Sequence, residues 1–217
     1  MDFNQLYPQK NQNLIQKFDI FKDRLKMYLK NRTNNFNLNQ QNLVKTILSA
    51  DKIGDDDLAA ILLLPYLFNP VNIKIPKKTT DNNVSKYSMR RPTKLEQASA
   101  VVVCITNIND LKTTHEEKVN RAFNCGLTVQ PYVVIVGNLE EINSTISYYT
   151  VINDIHYKLE TPIKALDICF KSFHSFNLEY PQEAEQVWWF IQDYFFNINN
   201  NSKKKFISVQ TLIKDLE

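Results

Sequence analysis

SAVVVCIT at residues 99–106 and PYVVIV at residues 131–136 decide the fold. Each contains an unbroken apolar, largely β-branched run, the pattern of a strand buried on both faces. Residues 109–124 between them read as a helix, with Asn109 or Asp110 as its cap and Gly126 just past its end. Strand, helix and strand in that order predict a βαβ unit with two parallel neighbours. Downstream, SYYTVI and IHYKLE flank a turn at Asn153-Asp154, which predicts a hairpin over 147–160.

Helices are expected before and after these strands in the chain. Leu14, Phe18, Phe21, Leu25 and Tyr28 recur at steps of three and four, one apolar seam of a helix over 11–31. Lys17, Lys22 and Arg24 flank the seam, and Lys26 and Lys30 lie across from it. A second helix is expected over 41–50. A third starts at Asp55–Asp57, where the carboxylates suit capping and the helix dipole, and Pro65 and Pro70 close it. Thr161-Pro162 opens another helix, running to about Phe176. The last strong helix, EAEQVWWFIQDYFF, is apolar almost all the way round. Such a helix is either central to the core or covered by a partner. The predicted class is α+β: a helical segment (1–70), a basic linker or loop (71–94), a mixed α/β segment (95–198) and a tail (199–217).

Composition narrows the function. The chain has 217 residues, 43% of them hydrophobic, enough for a core, and only 3 Gly. That scarcity, with no GxGxxG or GxxxxGK[ST], argues against glycine-rich phosphate loops. The turn after the first strand, TNIND, has no glycine either. The abundant Asn residues read as coding bias and solvated connections. Cys104, Cys125 and Cys169 have no zinc-site spacing, and Cys104 and Cys169 are expected to be buried thiols. His115, His156 and His174 match no metal or triad spacing. His115 is expected to be a partly buried, hydrogen-bonded imidazole. Asp55–Asp57 reads as a cap rather than a metal site, and Glu116/Lys118 as a chance pattern on a helix. No catalytic residue, metal or cofactor is assigned. MDFNQLYPQK has no signal-like apolar region, and the longest apolar run, 58–68, is too short for a bilayer span of about 20 residues.

Charge distribution says more than the net +3. Lys74, Lys77, Lys78, Lys86, Arg90, Arg91 and Lys94 crowd one segment with a single acid, Asp81. Its cations suit phosphate contacts and Tyr87 suits base stacking, which makes DNA or RNA a candidate partner. Lys203–Lys205 form a second basic run. Phe18, Phe21 and Leu25 on the first seam, and Trp188 and Trp189 on the last helix, are the candidate contacts for a protein partner or for self-association.

Four blocks resemble one family: LLLPYLF, RPTKLEQASA, GLTVQPYVVIVGNLEEI and KALDICFKSFHSFNLEYPQEAEQVWWFIQDYF. Together they resemble an uncharacterised group of metazoan open reading frames, many associated with mobile elements, over roughly residues 58–198. That group has no assigned activity, so the resemblance transfers no catalytic residue. It implies an intracellular protein, nuclear or cytoplasmic, linked to transposons or their domesticated relatives. Transposases use a spaced acidic triad on a ribonuclease-H-like sheet, which Asp55–Asp57 is not. The expected function is therefore a non-enzymatic interaction protein, with an enzyme of unrecognised type acting on nucleic acid or nucleotide as the alternative.

Overall fold

A computed structural model describes residues 2–49, 55–77, 87–138, 146–198 and 206–217. The fold is α+β. In chain order its elements are α1 (Phe3–Leu6), α2 (Asn13–Leu29), α3 (Leu38–Ser49), α4 (Asp55–Leu63), β1 (Ile73–Pro76), β2 (Tyr87–Arg90), α5 (Lys94–Ser99), β3 (Val102–Ile105), α6 (Asp110–Asn124), β4 (Tyr132–Val136), β5 (Ser147–Ile152), β6 (Ile155–Leu159), α7 (Pro162–Ser175), α8 (Glu185–Phe190) and α9 (Ile207–Leu216). A π-helical turn, Ile191–Phe196, extends α8.

The larger sheet has the order β3-β4-β5-β6. β3 pairs parallel with β4 across α6, and the β4–β5 and β5–β6 pairs are antiparallel. Every residue of β4 is buried, as its continuous apolar run requires. Its alternation splits two packing layers. Tyr132, Val134 and Val136 join Leu111 of α6 on one face. Val133 and Ile135 join α7 and the helical half on the other. Thr150 of β5 donates its hydroxyl to the Ala165 carbonyl of α7 at 2.7 Å, a buried tie between layers. The hairpin turn falls at Asn153, whose φ of 53° is the left-handed region Asn tolerates. The Thr161 side chain accepts from the Lys164 amide and caps α7, with Pro162 at its first position.

The α2 seam is buried within the chain. Leu14, Phe18, Phe21, Leu25 and Leu29 all lie in the main core, with Phe18 stacked on Phe195 and Phe21 edge-on to it. This corrects the expectation that Phe18, Phe21 and Leu25 meet a partner. The cations of α2 are also used internally. Lys17 donates to the Phe195 carbonyl at 2.7 Å, and Arg24 donates to the Tyr194 hydroxyl at 3.3 Å. Lys22 pairs with Asp19, Asp56 and Asp57, and Lys26 with Asp56. Burial opposes the Lys22 charge, but these carboxylates outweigh it and raise its pKa. Asp56 and Asp57 thus join α4 to α2. The Asp55 side chain lies outside the described residues.

Trp188 is likewise fully buried, 4.8 Å from the Phe173 ring. α8 and its π turn pack against α2 and α9 on several sides, so an all-round apolar surface is satisfied by the chain itself. Trp188 is therefore a core residue, not a partner contact. Part of the 199–217 tail forms α9, which buries Val209, Leu212 and Leu216 in the same core. Cys169 is buried as expected. Cys104 is exposed, against expectation, although the protein atoms around it push its thiol up to about 11.

Candidate nucleic-acid interface

Much of the expected basic linker is ordered structure. β1 and β2 form an antiparallel ribbon with Ile73 opposite Arg90, Lys74 opposite Met89, Ile75 opposite Ser88 and Pro76 opposite Tyr87. Strand alternation divides these residues between two faces. Ile73, Ile75, Ser88 and Arg90 form the inner, buried or half-buried face. Lys74, Pro76, Tyr87 and Met89 form the outer face and are all exposed.

The inner face fastens the ribbon to the body. Arg90 Nη1 lies 2.6 Å from Glu96 Oε1 in α5. Glu96 also accepts from the Thr93 amide at 2.7 Å, while the Thr93 hydroxyl accepts from the Glu96 amide, which closes a capping box. Burial pushes the Glu96 carboxyl up, but Thr93 and Arg90 together hold it below its ordinary value. The Lys74 amide donates to Gln182 Oε1 at 3.2 Å. Although on the outer face, Pro76 at the end of β1 also meets the body beside Gly126 at the end of α6, 3.5 Å from where a Cβ would stand. Gly126 has φ +63°, a conformation that glycine adopts without strain.

The outer surface is cationic. Lys74, Lys77, Arg91 and Lys94 are exposed and form no ion pair with the other described residues. Arg91 is held by its Nε, which donates to the Pro70 carbonyl at 2.9 Å. Tyr87, at 53% exposure, and Met89, at 60%, share the outer face of the ribbon with Lys74. Of the predicted set, the structure places Lys74 and Tyr87 on the outer face of the ribbon, Lys77 and Arg91 just beyond its strands and Lys94 at the start of α5, and turns Arg90 inward. Lys78, Lys86 and Lys203–Lys205 lie outside the described residues. Met89 does not stand out in the sequence, where the alternation in Ile73-Lys74-Ile75 is the signal that leads to it.

A cavity of about 90 Å³ adjoins the ribbon, lined in part by Arg90, Glu96, Lys118, Arg121, Cys125 and Glu183. Its volume matches about three waters or one anion of phosphate size. Arg90 Nε is buried there without a partner among the described residues. Lys118 donates to the Ser99 carbonyl at 2.6 Å and stands 4.6 Å from the Tyr132 ring centroid. Burial lowers its pKa to about 8. Sequence reasoning reaches neither Lys118 nor Arg121 as a neighbour of the ribbon, because their proximity depends on the end of α6 meeting Pro76.

His115 and His174 belong to two hydrogen-bonded groups, while His156 Nε2 is buried without a partner among the described residues. His115 Nδ1 lies 3.0 Å from the Tyr132 hydroxyl and Nε2 lies 3.2 Å from Asp154 Oδ1, in agreement with the expected buried imidazole. His174 is held between Tyr7 and Tyr180. Trp189 is half-buried and lines a cleft beside His174. Among the described residues, no group of three His, Cys, Asp or Glu side chains can hold a metal. No described helix is long and apolar enough to cross a membrane.

No protein-family model, curated protein or solved structure matches the chain.

Proposed function

We propose that this chain is an interaction protein that holds a nucleic-acid backbone on the outer face of the β1–β2 ribbon. One observation carries this function: Lys74 on the outer face of an anchored ribbon, Lys77 and Arg91 one residue beyond its strands, and Lys94 at the start of α5 are all exposed and without ion pairs to the other described residues. Tyr87 and Met89 add apolar surface on which an unstacked base can rest. The resemblance to mobile-element reading frames supports nucleic acid as the ligand and an accessory role in such an element.

Four phosphate contacts to a single strand give a slope of about −3 for log K against log salt. Fluorescence anisotropy with a labelled oligothymidine, from about 50 to about 200 mM salt, tests this. Changing Lys74, Lys77, Arg91 and Lys94 together to Glu should abolish binding. Changing Lys45, Lys112 and Lys214 to Glu should reduce it modestly through overall charge. Equal losses in the two variants, or no binding at the lowest salt, would reject the proposal.

Self-association is a second function, favoured by the surface beside β6. β6 is an edge strand, with Ile155 and Tyr157 at 57% and 43% exposure. Tyr157 and Leu159 continue into a cleft of about 560 Å³, with Ile168 of α7 and Phe176 just past its end also at its lining. An exposed edge with apolar neighbours is a template for pairing with another chain. Sedimentation velocity across a concentration series should show a dimer that Tyr157→Lys removes. A single monomer species throughout would exclude it.

A further inference from the structure

β6 has β5 on one side and no described strand on the other. The two-residue turn at Asn153-Asp154 closes on a hydrogen-bonded pair, here Ile152 and Ile155. Hydrogen-bonded and open pairs alternate along an antiparallel ladder. The register therefore bonds Tyr157 to Thr150 and Leu159 to Tyr148, and leaves Val151–His156 and Tyr149–Lys158 as open pairs. The N–H and C=O groups of His156 and Lys158 thus point away from β5. Among the described residues, no backbone group of another element bonds to them. They are the row with which a further strand would pair.

The side chains of this edge divide between two faces. Asp154 and His156 both stand beside His115 of α6, with Asp154 Oδ1 3.2 Å from His115 Nε2 and the two imidazole rings 5.9 Å apart. Lys158 follows His156 on the same face by strand alternation. The Asp154 side chain is 94% exposed, and Lys158 is exposed without an ion pair to the other described residues. Burial holds the His156 pKa below its ordinary value, so at neutral pH this face runs acid, neutral, base. Ile155 and Tyr157 occupy the opposite face, and both are exposed.

A second copy of the chain presents the same order in reverse. Antiparallel pairing about a two-fold axis at His156 sets Lys158 opposite Asp154 of the second copy, and the symmetry repeats that pair. It also sets Ile155 opposite Tyr157, a favourable β-branched–aromatic pair. Two other registers match the open backbone groups. An axis at Tyr157 sets Asp154 opposite Glu160, and an axis at Lys158 sets that lysine opposite itself. Like charges directly opposite each other destabilise a ladder, so charge favours the axis at His156. The edge is complementary to itself, which selects a copy of this chain over an unrelated strand.

We propose that two copies of this chain join through β6, antiparallel about His156, so that their four-stranded sheets continue into each other with reciprocal Lys158–Asp154 ion pairs. This pairing rests on the self-association proposed for the same edge and fixes its register. Sedimentation velocity on the full chain at low salt tests it with two charge reversals, Asp154→Lys and Lys158→Asp. Each variant alone sets like charges opposite each other and should weaken the dimer on the order of tenfold. An equimolar mixture of the two variants restores both ion pairs in the mixed dimer and should recover the affinity of the natural chain, which misfolded variants would not do. A dimer that survives both reversals would overturn this pairing while self-association stands. A mixture that stays dissociated would overturn it as well. A natural chain that is monomeric at every concentration would reject both the pairing and the self-association on which it rests.

Discussion

Trp188 and Trp189 are adjacent in sequence and differ in every physical respect. Trp188 is buried against Phe173, and its indole nitrogen has no partner among the described residues. Trp189 is half-buried, with its nitrogen beside Glu185. Trp188→Ala should therefore cost about 3–5 kcal/mol, read from denaturant midpoints, because it opens a core cavity. Trp189→Ala should cost far less, and a cost similar to that of Trp188→Ala would show that Trp189 is also a core residue. His174 gives a pH signature. Its folded pKa is lowered to about 4, chiefly by burial, from an ordinary value near 6.5. The unfolded chain binds the proton first, so the stability from neutral His174 is present above pH 6.5 and is lost as pH falls toward 4. The loss should be about 2 kcal/mol after allowance for partial exposure, and absent in His174→Gln. A variant with the same acid profile as the natural protein would contradict this assignment. Neither behaviour is legible in the sequence, because periodicity places both residues near an apolar face without showing how far each is covered.

The elements differ in legibility, for reasons specific to each. β3 and β4 are both legible as strands from their short β-branched runs, but only β4 is buried on both faces; β3 is the edge strand of the sheet, with Cys104 exposed. The β5–β6 hairpin is legible from Asn153-Asp154. α5 is not, although Thr93 and Glu96 carry a capping-box spacing, because prolines and lysines upstream make the whole stretch resemble a linker. The β1–β2 ribbon is hidden for a related reason: its strands are four residues each, too short for alternation to stand out. The basic set is visible in the sequence, but not its division into inner Arg90 and outer Lys74. The seams of α2 and α8 are plainly apolar, but an apolar stripe does not say whether the chain itself or a partner covers it. At this scale the ribbon should depend on its anchor. Thr93→Ala removes half of the capping box and should cost about 1 kcal/mol. Hydrogen exchange should then accelerate at 73–75 and 87–90. Unchanged exchange there, with the helix destabilised, would show that the ribbon stands without α5.

Over the whole molecule, one buried core joins α2, α4, β4, α7, α8 and α9. Phe21 reaches Phe190 and Phe195, and Phe170 stacks on Phe196 at 4.2 Å, so residues far apart in sequence meet in two ring clusters of the same core. Phe21→Ala and Phe170→Ala should each lower a single shared unfolding transition by about 3–5 kcal/mol. Two separate transitions, with one variant affecting each, would show independent units. This rigid interior leaves function to the surface, where the cationic ribbon is the feature that the proposed function depends on. Lysine acylation footprinting, with and without oligothymidine at low salt, tests that dependence most directly. Lys74, Lys77 and Lys94 should be protected, with Lys45, Lys112 and Lys214 labelled as fully as in the free protein. Protection centred on the latter three, or on no lysine despite bound oligonucleotide, would contradict a ribbon-bound nucleic acid.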